Sequence, residues 1–121
     1  MRKQLLLIVA ISLLFVACGH EKKPDNLLGY SSGTTDDYVY VTIDDKTFIP
    51  FAAVSNSDQG DWIGIVDGDE KDRIYEYKDY SPDEWIISFY KSGEMDISLL
   101  MKEQNVTEYP KGVYSDYLWN D

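Results

Sequence analysis

One cysteine and one histidine serve all 121 residues, and that scarcity removes whole classes of chemistry. Cys18 has no second cysteine to pair with, so no intramolecular disulfide can staple the fold. His20 stands two places after Cys18, outside any stretch with strand or helix periodicity. Neither a Ser-His-acid triad nor a Cys-His pair can therefore be assembled in a folded domain. A Cys/His zinc set and a Gly-rich phosphate loop are likewise missing. Basic side chains are few: 11 against 22 acidic ones, a net charge of −11. Nucleic acid and anionic lipid headgroups both need a Lys/Arg surplus, so neither is an expected partner. No apolar run reaches the roughly 20 residues that cross a bilayer comfortably.

What is present begins with an address. Arg2 and Lys3 precede the apolar residues 5–17, in which Ser12 is the only interruption, and Ala17-Cys18-Gly19 closes the segment. A positive start, a short apolar run and a small exit residue are the marks of an export signal. The residues Phe15-Val16-Ala17-Cys18 resemble the lipobox of bacterial lipoprotein precursors, with Phe15 where that family has Leu. The resemblance covers the chain to about Gly19. It implies a signal peptide over residues 1–17, cleavage before Cys18, and diacylglycerol with palmitate-type chains on the Cys18 sulfur. The expected location is the outer side of a bacterial membrane, held there by lipid on Cys18; in an organism with two membranes, Gly19 rather than Asp after the cysteine resembles an outer-membrane destination. Each buried CH₂ contributes about 0.8 kcal/mol to such anchoring.

Cleavage there would remove Arg2 and Lys3 and no acid, leaving 9 basic and 22 acidic side chains, a net charge of −13. Such a surface favours solubility and attracts basic partners. Residues 18–36 carry Lys22, Lys23, Pro24, Gly29, Ser31, Ser32 and Gly33 and have no periodicity, so they read as a lipidated flexible tether. Residues 37–121 read as one small domain that must be held by its own core. Ten Tyr and three Trp supply that core, since each aromatic ring buries about 150–250 Å².

The domain's pattern is β. Val39, Val41 and Ile43 alternate with polar or tyrosine positions, and Asp44-Asp45-Lys46 reads as a tight turn. Residues 47–54 form a second strand in which Pro50 marks an edge or bulge. Residues 62–66 and 73–78 flank an acidic turn containing Asp67-Gly68, a hairpin cue, in a turn that looks longer than two residues. Trp85, Ile87 and Phe89 share one face of a strand over 84–90. Met95, Ile97, Leu99 and Met101 share one face of the next, which puts Ile97 in the core. Residues 105–109 read as a last strand. The final ten residues divide between a strand and a short C-terminal helix with Tyr114, Tyr117 and Leu118 at helical spacing. Six or so short strands imply an all-β antiparallel meander, as a small barrel or curled sheet, with a sandwich as the alternative. The run Ile43-Asp44-Asp45-Lys46-Thr47-Phe48-Ile49-Pro50-Phe51 resembles an Ile-Asp-Gly-Lys-x-Tyr-Val-Pro-Tyr opening found in small uncharacterised bacterial lipoproteins, which supports the two-strand reading and implies no activity.

Three groups of residues are candidates for function. Asp67, Asp69, Glu70 and Asp72 crowd one turn against Lys71 alone, which suggests a contact for a basic protein. A calcium loop fails there, because Lys71 takes a ligand position, Asp72 replaces the needed Gly, and Lys78 stands where a bidentate Glu belongs. Trp62, Trp85 and Trp119 could be platforms for sugar or peptide, although Trp85 fits a core position better. Paired carboxylates are inevitable among 22 acids and point to no particular cleft. The expected role is a non-catalytic binding or accessory domain at the cell envelope, without a cofactor or a metal. The rival is an acidic self-protection lipoprotein, an immunity protein or inhibitor against a basic exported enzyme or toxin.

Overall fold

The computed structural model describes residues 23–93 and 96–115. It is all-β, with seven strands closed into a barrel: β1 (Leu28–Thr34), β2 (Val39–Ile43), β3 (Lys46–Val54), β4 (Gln59–Val66), β5 (Asp69–Tyr77), β6 (Trp85–Tyr90) and β7 (Ser98–Glu103). A short 3-10 turn at Asn56–Asp58 leads into β4. Around the barrel the strands run β1-β2-β3-β7-β6-β5-β4. Every neighbouring pair is antiparallel except one, where β4 meets β1 in parallel. An odd number of strands forces that exception, because alternating directions cannot close a ring of seven.

The odd strand is the one that sequence reasoning misses. Residues 28–34, which read as part of a tether, form β1. Their own side chains are mostly small and polar, and only Tyr30 is buried, so no alternation of apolar residues announces the strand. Pairing supplies the structure instead: Ser31–Thr34 pair with β2, and Leu28–Tyr30 pair with β4.

Consecutive strand residues point to opposite faces, yet Ile86 and Ile87 are both fully buried. The β6 strand is therefore covered on both sides. On one side Tyr30, Val41, Phe48, Val66, Ile74, Ile86 and Met101 pack together, one from each strand, which makes them the filling of the barrel. On the other side Phe51, Trp62, Tyr75, Tyr77, Trp85, Ile87 and Leu100 form a second core. The chain after β7 folds back over it. Tyr109 lies 5.1 Å from the Phe51 ring and 6.3 Å from the Trp85 ring, and Phe51 meets Trp85 edge-on at 5.0 Å. Lys102 fastens this strap: its Nζ donates to the Val106 carbonyl at 2.9 Å and stands 5.4 Å from the Tyr109 ring centre.

Several local expectations need correction. Residues 105–109 form no strand, and residues 110–115 are turn and irregular chain, with Gly112 at φ 80°; Tyr117 and Leu118 of the expected helix lie outside the described residues. Ile97 is 57% exposed, because β7 begins only at Ser98. Leu99 and Met101 do share a face, opposite Ser88 and Ile86, but Ile97 precedes the pairing that would have turned it inward; Met95 lies outside the described residues. The β4–β5 turn is a two-residue one. Val66 pairs with Asp69, and both Asp67 (φ 52°) and Gly68 (φ 74°) adopt the left-handed conformation that a tight hairpin of primed type requires. Pro50 does mark a bulge, between Pro50 and Ala52, within a strand that is paired on both sides.

Candidate functional site

A groove of about 660 Å³ opens on the seam where β4 meets β1. One wall is Gly60, Asp61, Trp62 and Ile63 of β4; the other is Pro24 and Asn26 with Leu28 at the start of β1; Tyr75 of β5 contributes to the floor. The cause is local. Leu28, Gly29 and Tyr30 pair with Gly64, Ile65 and Val66, but the chain before them bends at Asp25 and Asn26 and leaves the course that would continue the pairing. The β1–β4 pairing stops at Gly64, and the groove lies beside the β4 residues that precede it. Register shifts on either side of Trp62 in the β4–β5 ladder add local twist to the same stretch.

The aromatic residues of the groove are already engaged. Trp62 is 9% exposed, its Nε1 donates to the Gly64 carbonyl at 2.9 Å, and the Arg73 guanidinium lies 3.9 Å over its ring. Arg73 in turn donates from Nε to the Glu70 carbonyl at 3.1 Å and from Nη1 to the Tyr75 hydroxyl at 3.2 Å. A sugar-stacking platform needs an open ring face, so Trp62 is a wall of the groove rather than a free platform. Trp85 is a core residue, 2% exposed, and Trp119 lies outside the described residues.

The acidic turn is more of a structural joint than its composition suggests. Asp67 accepts from the Ser32 backbone N–H at 3.1 Å and from the Ser32 hydroxyl. These bonds tie the β4–β5 hairpin to β1, and the Ser32 hydroxyl, then its N–H, hold the Asp67 carboxyl below the usual carboxylate range. Asp69 accepts from the Lys71 backbone N–H at 2.9 Å. Glu70 forms an ion pair with Lys23. Burial, then the nearby Asp69 and Asp67, push the Asp72 carboxyl up. Asp67, Asp69 and Glu70 are exposed and Asp72 is half-buried. The four acids are thus brought together, with two of them occupied by contacts to the chain near the seam.

A smaller cavity of about 330 Å³ is lined by Asp83, Glu84, Glu103, Asn105, Val106, Thr107 and Glu108. Glu103 accepts there from the Asn105 N–H at 3.0 Å. Among the described residues no group of three His, Cys, Asp or Glu side chains is placed to hold a metal ion. The lipobox residues Phe15–Cys18 and His20 lie outside the described residues. Comparison with protein-family models, with curated proteins and with solved structures finds no match for this chain.

Proposed function

We propose that this protein is an exported lipoprotein, anchored by lipid on Cys18 to the outer side of a bacterial membrane, whose barrel is a non-catalytic binding or accessory domain. The sequence Phe15-Val16-Ala17-Cys18 supports the anchor. The seam groove supports the binding role, and one observation carries it: four consecutive residues of β4, Gly60 to Ile63, line the groove together. The pairing of β4 with β1 covers only Gly64–Val66, so along these four residues the β1 side of the strand has no partner strand among the described residues. Ligand seats are commonly concave, largely apolar and of this volume.

The rival reading is an acidic inhibitor of a basic enzyme or toxin. Exposed Asp69 and Glu70 on a chain of this charge favour it, since such a field speeds encounter with basic surfaces. Chemical crosslinking in the producing cells, followed by mapping of the crosslinked residues, separates the two. Crosslinks at residues 60–63 favour the groove, and crosslinks at Lys71 in the acidic turn favour the inhibitor. Crosslinks at neither place would overturn both.

A further inference from the structure

The β4 edge that faces the groove has no strand partner among the described residues. β4 starts at Gln59, but its pairing with β1 covers only Gly64, Ile65 and Val66. Along Gly60–Ile63 no strand pairing forms on the β1 side among the described residues, and these four residues line the groove. On the far wall Pro24 has no N–H to donate, and the chain bends at Asp25 and Asn26 without pairing to β4. An unpaired strand edge of this kind is a template for another extended chain.

From this edge we infer that the groove takes an extended peptide segment of a partner protein, added as a strand along Gly60–Ile63 and carrying both apolar and basic side chains. The inference rests on the binding role proposed for the groove and names its ligand class. Backbone pairing to β4 would supply the affinity that is independent of sequence. Leu28, Ile63 and Trp62 in the groove lining call for apolar side chains. Asp61 is exposed at the rim, and no Lys or Arg is among the lining residues. With a net charge of −11 on the whole chain, the peptide's other side chains should be basic.

The test uses the barrel in solution, with amide resonances followed by NMR. The probes are an alternating Val-Lys hexapeptide, the same peptide N-methylated at alternate residues, and a Val-Glu counterpart. The Val-Lys peptide should shift the amides of residues 60–63 and Leu28. N-methylation, which removes backbone donors while keeping the side chains, should weaken binding by about tenfold or more. The Val-Glu peptide should bind more weakly than Val-Lys, and Asp61→Lys should reverse that order. Asp61 is exposed, so this variant should keep the fold, which its unchanged spectrum away from the groove would verify. If the N-methylated peptide shifts the same amides with equal affinity, strand addition is overturned and the groove's binding role stands. If no peptide perturbs residues 60–63, both are overturned.

Discussion

The Tyr30 ring lies against the backbone of Gly64 so closely that a Cβ on Gly64 would stand 2.5 Å from the ring's Cε1 and 2.9 Å from the Leu28 carbonyl oxygen. Tyr30 is 3% exposed and is β1's contribution to the filling of the barrel, so its ring has nowhere to retreat. Gly64→Ala should therefore destabilise the fold by about 1–3 kcal/mol, the usual cost of overpacking. Gly29 is the control: it lies beside Gly64 in the same seam, and a methyl group added there would meet nothing within 4 Å. Gly29→Ala should be neutral or slightly stabilising. Urea unfolding midpoints of the two variants decide the matter.

Cover on both sides of β6 predicts that two adjacent truncations are each severe. Ile86→Ala opens a cavity in the barrel filling and Ile87→Ala one in the outer core, and each should cost about 2–5 kcal/mol. Because the two side chains lie on opposite sides of the sheet, the losses should be nearly additive in the double variant. Ile97→Asp should change stability by no more than about 0.5 kcal/mol, since Ile97 is exposed before β7 begins. Equilibrium denaturation of the four proteins tests all three statements.

Stability should fall at alkaline pH. Burial first, then Asp83, Asp44 and Glu76, raise the Tyr30 pKa from 10.0 to about 12. Below pH 10 both the folded and unfolded chains keep the proton. Between those values the unfolded chain releases it and the folded one retains it, so rising pH favours unfolding. Tyr77 is shifted the same way by burial, then Asp58 and Tyr80. The fall attributable to Tyr30 should be about 1–3 kcal/mol by pH 12. Tyr30→Phe should flatten it, as read from urea midpoints at several alkaline pH values.

Asp67 should behave as a clasp for β1. Its carboxylate holds both the N–H and the hydroxyl of Ser32, and these bonds also lower its pKa. This contribution is present above the ordinary carboxylate pKa and is lost as pH falls through the lowered one. Asp67→Ala should accelerate hydrogen exchange of the Ser32 amide and of its neighbours in β1, while residues 85–90 stay protected. Asp69→Asn, which leaves those two bonds in place, should not.

Anchoring is checked separately. Cys18→Ser should release the protein from the membrane or leave it as uncut precursor, as measured by cell fractionation and intact mass. An unmodified Cys18 in the mature membrane-bound protein would overturn the lipid assignment.

Much of the barrel is legible in the amino-acid order because most strands advertise themselves. Val39, Val41 and Ile43, or Trp85, Ile87 and Phe89, repeat with the period of a pleated strand. Asp44 and Asp67-Gly68 sit where the chain reverses in left-handed conformation. One source of error is burial on both faces, which erases the period. In β7, residues 100 to 103 are all buried, so alternation no longer tells inward from outward, and the period places Ile97 on a face that the pairing never reaches.

What the sequence determined by itself is the aromatic supply of the core, most of the reversal points, the single cysteine and single histidine, and the lipobox-like residues Phe15–Cys18. The tertiary structure alone decided the role of residues 28–34. Nothing in Leu-Gly-Tyr-Ser-Ser-Gly-Thr carries a strand period. The segment becomes β1 because β2 and β4 each present an edge that needs a partner, and backbone hydrogen bonding is indifferent to side-chain pattern. That seventh strand makes the count odd, the odd count makes one seam parallel, and the short parallel seam opens the groove along Gly60–Ile63. A local reading cannot see such a consequence, because closure is a property of the whole ring.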